Sequence, residues 1–259
     1  MTSSLKPKTI EVGKMMKNST NEKSDERFNI LGEIGWRGIL RFIAFVLLFP
    51  MVLMIAAGNL NWVMGWIYVL ISITFAFASR IIMIYRNPEL ILERAKSLEA
   101  EDAKGWDKAF LLFGGMLGPL VAFIVIGLDE RFNWSPEIPL SLQLVALVMV
   151  ILGYLFSTWA MSVNKFFSAV VRIQKDRNQT VVTDGPYRYV RHPGYTGGIV
   201  ALITIPIMLG SLWGLVPVGI IVFMTIIRTE LEDKTLREEL DGYENYAQKV
   251  HYKLFPRIW

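Results

Sequence analysis

The residues best equipped for chemistry in this chain fall into two clusters. The first is the stretch TDGPYRYVRHPGYTGG, Thr183 to Gly198, which lies just ahead of an apolar run. It holds one of the chain's two histidines, His192, together with Arg188, Arg191 and the tyrosines at 187, 189 and 195. Gly185-Pro186 sets a turn, and Pro193 suits the first position of a helix. Backbone N–H groups at a helix start lack partners, and the dipole there favours an anion. Arg191 and His192 beside that start therefore form a corner suited to a carboxylate or phosphate. Gly194, Gly197 and Gly198 leave the first turn bare enough for a ligand to reach the backbone. Tyr187 and Tyr195 offer flat faces to a purine or a cation. The second cluster opens RTELEDKTLREELDGYENYAQKV, where Arg228 and Glu232 stand four residues apart and share a helix face. Glu230 and Asp233 add negative charge. One cluster is cationic and aromatic, the other largely anionic, and together they suit a zwitterion such as an amino acid moiety.

Elements must bring those clusters together, and the composition says which kind. Hydrophobic residues make up 53% of the 259, with eight Trp and fifteen Phe, and the mean hydropathy is +0.40. That balance places the chain among membrane proteins. The net charge of +4 is too small and too dispersed for a nucleic-acid face. The absence of cysteine excludes disulfides, thiolate metal sites and cysteine nucleophiles, and no metal site is expected. A spanning helix needs about 20 apolar residues. Ile39–Ala57, Trp62–Tyr85, Phe110–Leu128 and Leu140–Val163 meet that length, while Gly194–Leu209 and Leu212–Ile227 are shorter and read as a tight helical hairpin. The expectation is an all-α polytopic fold with about six passes. Residues 1–36 read as a flexible cytosolic tail, 37–163 as four passes, and 164–259 as the half that carries the chemistry.

The links differ in charge. The Arg86–Lys108 link holds five basic residues and Asn164–His192 holds six, whereas Gly58–Asn61 has no charge and Asp129–Pro139 one Arg against three acids. The positive-inside rule then puts both termini, both long links and both chemical clusters in the cytosol. Residues 88–108 read as an interfacial amphipathic helix with Trp106 at headgroup depth. Val170–Gly185 alternates around KDRN and reads as a short hairpin or an extended link. Because the helical hairpin leaves and returns on one side, it brings Arg191-His192 close to Arg228 and Glu232.

From Val163 onward, GPYRYVRHPGYTGG, the apolar hairpin and RTELEDKTLREELDGYENYAQKV resemble the integral-membrane methyltransferases related to isoprenylcysteine carboxyl methyltransferase and phospholipid N-methyltransferases. The resemblance covers somewhat over a third of the chain. It implies an S-adenosylmethionine pocket to which Tyr187, Arg191, His192, Pro193, Tyr195, Gly197, Arg228, Glu232 and Asp233 contribute, with Arg191 and Glu232 as catalytic residues. Gly197 would leave room for the cofactor. Asp233 stands where the family usually has a second Glu. The register does not assign Tyr243 or Tyr246. The partners implied are the bilayer and a lipidic or hydrophobic methyl acceptor, a carboxylate or an amine. Methyl transfer from a sulfonium asks mainly for positioning and exclusion of water. Two other readings stand beside it: a sterol-type membrane reductase using NADPH, which the ending HYKLFPRIW fits, and a non-catalytic lipid-binding membrane protein.

Overall fold

The computed structural model describes Gly32 and residues 35–96 and 102–259. The expected tail over residues 1–36 lies outside the described residues but for Gly32, Gly35 and Trp36. Every regular element among the described residues is helical, as the apolar runs require. Helices α1 (Gly35–Ala57), α2 (Val63–Arg86), α4 (Gly105–Phe132) and α5 (Leu140–Val163) are long and apolar enough to cross a membrane. Between α2 and α4 sits the short α3 (Glu89–Lys96). The chain then forms α6 (Pro193–Met208), α7 (Leu215–Glu239) and α8 (Tyr243–Lys249). The expected hairpin is therefore present as α6 and α7. Its arms differ from the expected two passes: α6 has 16 residues, about 24 Å, and only the first half of α7 is apolar.

Two other expectations change. The segment 88–108 is not one interfacial helix. Lys104 is extended, and Gly105 starts α4, so Trp106 belongs to that long helix rather than to a separate surface element. The physical cause is Asp107, fully buried and drawn inward to accept N–H bonds from Arg228 and from the Val171 backbone. The 170–185 link is extended with a single 3₁₀ turn at Lys175–Arg177, and no strand forms there. Gln179 replaces ladder bonding by accepting the Gln174 N–H on its own side chain, with Asn178 in the left-handed region (φ 47°).

Small residues set how the spanning helices meet. Gly153 on α5 faces Gly197 on α6; a Cβ at 197 would lie 2.4 Å from the Gly153 carbonyl and 2.5 Å from Ser157 Oγ. Ser157 donates to the Gly194 carbonyl at 2.9 Å, so the first turn of α6 is fastened to α5. Close backbone approach of this kind replaces the hydrophobic drive that lipid cannot supply. The core packs Leu53, Tyr68, Phe123, Ile126, Val150 and Met208 at the middle of the bundle. Leu142, Val145, Leu152 and Leu155 of α5 stay exposed, which suits a lipid solvent. Within α4, Phe113–Leu117 forms a π segment just before Pro119. Proline there removes an N–H from the helical ladder, and Gly114 and Gly115 allow the looser turn.

At the end of the bundle away from α3, Asp129 is buried and accepts hydrogen bonds from the Ser135 amide (2.7 Å), the Ser135 hydroxyl (2.6 Å) and the Ser211 hydroxyl. Ser135 Oγ in turn accepts the Leu212 N–H at 2.8 Å. This clasp ties the α4–α5 link to the α6–α7 turn. It fixes the hairpin's far end while the chemical residues gather at the other.

Candidate active site

At the α3 end of the bundle, the 3₁₀ turn Gly185–Arg188 delivers Tyr187, and Pro193 starts α6 as its fixed φ allows. His192 is the residue before it. The C-terminal tail then runs beside this junction. Arg191 and His192 donate their backbone N–H groups to Tyr252 and Lys253 carbonyls, each at 2.9 Å. Thr196 Oγ1 donates to the Leu254 carbonyl at 2.8 Å. Backbone pairing thus locks residues 191–196 between α5 on one side and the tail on the other.

Asp233, 2% exposed, is the centre of the arrangement. Arg191 grips it with two parallel bonds, Nε to Oδ1 at 2.7 Å and Nη2 to Oδ2 at 2.9 Å. His192 Nε2 lies 3.1 Å from Oδ1, and the Tyr243 hydroxyl donates to the same oxygen at 3.0 Å. Arg237 adds a bond to Oδ2 at 3.1 Å. Burial would raise this carboxyl, but the hydrogen bonds and charges of His192 and Arg191 hold it well below the ordinary carboxylate range. The same burial, with Asp233 alongside, pushes the Tyr243 hydroxyl well above its usual value. Tyr243 therefore remains a neutral donor.

This geometry corrects the expected role of Arg191. Its remaining Nη1 donors reach the Val250 and His251 carbonyls, both at 2.8 Å. The anion corner is filled from within the protein by Asp233, so the Arg191 guanidinium is engaged by Asp233 and the tail carbonyls. Asp233 lies beneath the cavity wall for the same reason, and Pro193 only starts the helix. Gly197 does not make room for a ligand: its missing side chain admits Gly153 and Ser157 of α5.

The other expected residues do meet. Tyr187, His192, Tyr195, Arg228 and Glu232 line one cavity of about 270 Å³, and Arg191 is in its wall as well. Within it the Tyr195 hydroxyl donates to Glu232 Oε2 at 2.6 Å, and the Tyr195 ring stacks beside His192. Arg228 does not pair with Glu232 four residues on. It instead donates to Asp107 at 2.6 and 3.1 Å and to the Ala169 carbonyl at 2.8 Å, its guanidinium 5.5 Å from the Tyr195 ring centroid. Glu232 thus lines the cavity with its carboxylate bonded to Tyr195. Tyr243 and Tyr246, which the sequence left unassigned, also line it. Tyr246 donates to the Tyr187 carbonyl at 2.7 Å, and Asn164 donates to the Tyr187 hydroxyl at 3.0 Å.

Asn164, Asp107 and Arg94 are residues that sequence reasoning missed. Asp107 had a detectable signal, a lone acid two residues before a long apolar run, which is costly unless paired. Asn164 and Arg94 had none, because their value comes only from which side chains the fold sets across from them.

A second recess, of about 160 Å³, lies between α4, α6 and α7. Phe110, Ile199, Leu202 and Met224 line it, and Gly114, Gly115 and Gly198 face it with open space where a Cβ would sit. Leu111, Tyr195 and Arg228 belong to both recesses. A cavity that carries polar side chains and an apolar crevice therefore share those side chains.

The cavity suits the zwitterionic, purine-bearing cofactor that the motif implies. It offers a carboxylate at Glu232, an imidazole at His192, an amide at Gln179, and the rings of Tyr187, Tyr195, Tyr243 and Tyr246.

Residues 142–241 match the family model described as phospholipid methyltransferase. A probable protein-S-isoprenylcysteine O-methyltransferase of Oryza sativa subsp. indica is 33% identical over 115 residues, 41% of this chain and 58% of the relative. The protein-S-isoprenylcysteine O-methyltransferase of Schizosaccharomyces pombe is 30% identical over 116 residues, 42% of this chain and 47% of the relative. The matches thus span about half the length of these curated relatives. The solved structure of a eukaryotic intramembrane Ras methyltransferase, isoprenylcysteine carboxyl methyltransferase, aligns over 95% of this chain and 97% of its own, with 16% identity and a TM-score of 0.45. From residue 142 onward, where Arg191-His192-Pro193 and Arg228 to Glu232 stand, the chain resembles the integral-membrane methyltransferases of the phospholipid and isoprenylcysteine type.

Proposed function

We propose that this protein transfers a methyl group from S-adenosylmethionine to the carboxylate of a hydrophobic, isoprenylcysteine-like acceptor at the cytosolic face of a membrane. The observation that carries the reading is that a cavity bearing Glu232, His192 and four tyrosines and a glycine-lined apolar crevice share Leu111, Tyr195 and Arg228. A water-soluble donor and a lipidic acceptor need such a junction, because neither solvent holds both. The relatives' names describe O-methylation of an isoprenylcysteine, and the oxygens of a cysteine are those of its carboxylate.

When bound, S-adenosylmethionine supplies the methyl group on a sulfonium. Tyr187, His192, Tyr195, Glu232, Tyr243 and Tyr246 would hold it. The Glu232 carboxylate offers negative charge to the cofactor's cationic groups, and the Tyr195 hydroxyl fixes its orientation. Arg191 and Asp233 keep His192 and Tyr243 in place. A carboxylate acceptor brings its own nucleophilic oxygen, so no general base is required. A bound acceptor covering the junction would exclude water, which would otherwise solvate that oxygen.

The six apolar passes belong to the same proposal, with α6 and the first half of α7 as the last two. The basic links at 86–108 and 164–192 then face the cytosol together with both termini.

Binding of S-adenosylhomocysteine to the purified full-length chain tests this directly. We expect a rise in thermal midpoint with S-adenosylhomocysteine and none with NADPH. Stabilisation by NADPH alone would favour a reductase and contradict the proposal. Glu232→Gln should weaken S-adenosylhomocysteine binding by about tenfold, the loss of one charge-assisted contact.

A further inference from the structure

All but two of the cavity's lining residues come from position 164 onward; the exceptions are Arg94 and Leu111. Both lie outside the span 142–241 that matches the family model. Leu111 is one of the side chains that line both the cavity and the crevice. Arg94 is carried there by α3, which Leu90 and Ile91 dock against Met83 of α2 and Met161 of α5. Its Nη1 donates to the Phe167 carbonyl at 3.3 Å, and its guanidinium stands 5.8 Å from the Phe167 ring centroid. The cation is therefore held against the cavity wall rather than released to solvent.

Its surroundings favour an incoming anion. Burial, followed by the positive charges of Arg80 and Arg228, pulls the Arg94 guanidinium down to about 10, with Tyr195 acting the other way. It stays charged at neutral pH. An anion placed beside it offsets both burial and like-charge repulsion. A protonated amine at the same place would meet the charges of Arg94 and Arg228 together.

We propose that Arg94 is the specificity residue that binds the acceptor's carboxylate at the cavity–crevice junction. This rests on the methyl transfer proposed above. It assigns acceptor choice to the N-terminal half of the chain, while the cofactor residues lie in the C-terminal half. The hydrocarbon chain would lie along Gly114, Gly115 and Gly198, and the carboxylate would reach past Tyr195 toward Arg94. A planar guanidinium suits a carboxylate through two parallel N–H bonds.

The test uses the full-length protein in lipid nanodiscs with N-acetyl-S-farnesylcysteine as acceptor and its primary amide as an uncharged competitor. Arg94→Gln should raise the KM for the acid by about tenfold or more and abolish the wild-type preference for acid over amide. Arg94→Lys should recover part of both. The S-adenosylhomocysteine dissociation constant should stay within about twofold of wild type. An unchanged KM and an unchanged acid preference in Arg94→Gln would overturn the assignment. So would a parallel loss of S-adenosylhomocysteine affinity, which would put the bound carboxylate on the cofactor. Should the Gln variant fail to fold, the acid-to-amide ratio in Arg94→Lys decides, and a wild-type ratio there contradicts the proposal. Wild-type transfer to a lipid amine and not to the acid would overturn both readings, whereas transfer to the acid with normal Arg94 variants overturns this one alone.

Discussion

Asp233 receives hydrogen bonds from Arg191, His192, Tyr243 and Arg237, and three of those four residues are close to or within the cavity wall. Removing its charge while keeping its shape leaves the Arg191 guanidinium buried without its anion. Asp233→Asn should therefore cost about 3–5 kcal/mol of stability and abolish S-adenosylhomocysteine binding, as measured by thermal unfolding in detergent with and without the ligand. The same carboxyl gives a pH prediction. Its folded value lies below its ordinary 3.8, so its contribution is complete above that value and is lost as the pH falls further. Wild type should lose stability on acidification below about pH 4, and Asp233→Asn should show a shallower loss. A steeper loss in the variant would contradict this account. At this scale the sequence was partly legible. Arg191, His192 and Glu232 stood out by type and spacing, but the partner of each did not. The i to i+4 spacing put Arg228 and Glu232 on one helix face, and the fold pairs Arg228 with Asp107, more than a hundred residues away. Local spacing reports a shared face and says nothing of what a third helix places opposite.

At the scale of elements, neighbouring glycines at the start of α6 make opposite predictions. Gly197 meets the Gly153 backbone and Ser157, so Gly197→Val should force α5 and α6 apart and cost about 1–3 kcal/mol. Gly198 faces open space, so Gly198→Ala should raise stability by about 0.5–1 kcal/mol through helix propensity. Thermal midpoints of the two variants in one detergent check the signs, and a loss at both positions would show that the crevice is not open. The sequence marked all three glycines of this turn as a bare ligand-facing surface. The structure divides them, because a period of 3.6 residues turns 197 toward α5 and 198 toward α4 and α7. The helical hairpin itself was legible from two apolar blocks around a short turn. The Asp129 clasp that anchors the turn was not, since its partners Ser135 and Ser211 are unremarkable in type.

For the whole molecule, four long apolar helices and an α6–α7 hairpin hold the polar knot at one end of the bundle and the Asp129 clasp at the other. The absence of cysteine makes sidedness easy to measure. A single cysteine at exposed Tyr189 should react with a membrane-impermeant maleimide only from the cytosolic side, and one at exposed Trp134 only from the opposite side. The reverse pattern would invert the proposed orientation. Fold class was readable from composition because lipid demands long apolar helices whatever their packing. The crevice was not, because it exists only where the π segment of α4 meets α6 and α7. The central claim is that a polar cavity and a lipid crevice share one reaction point at Tyr195, with Glu232 held there by its hydroxyl. The most direct measurement is transfer of labelled methyl from S-adenosylmethionine to N-acetyl-S-farnesylcysteine by wild type, Glu232→Gln and Gly198→Leu in nanodiscs. The account predicts a base-labile methyl ester with wild type and loss of product with both variants, Gly198→Leu keeping its affinity for S-adenosylhomocysteine. No ester with wild type, or full activity in both variants, would contradict it.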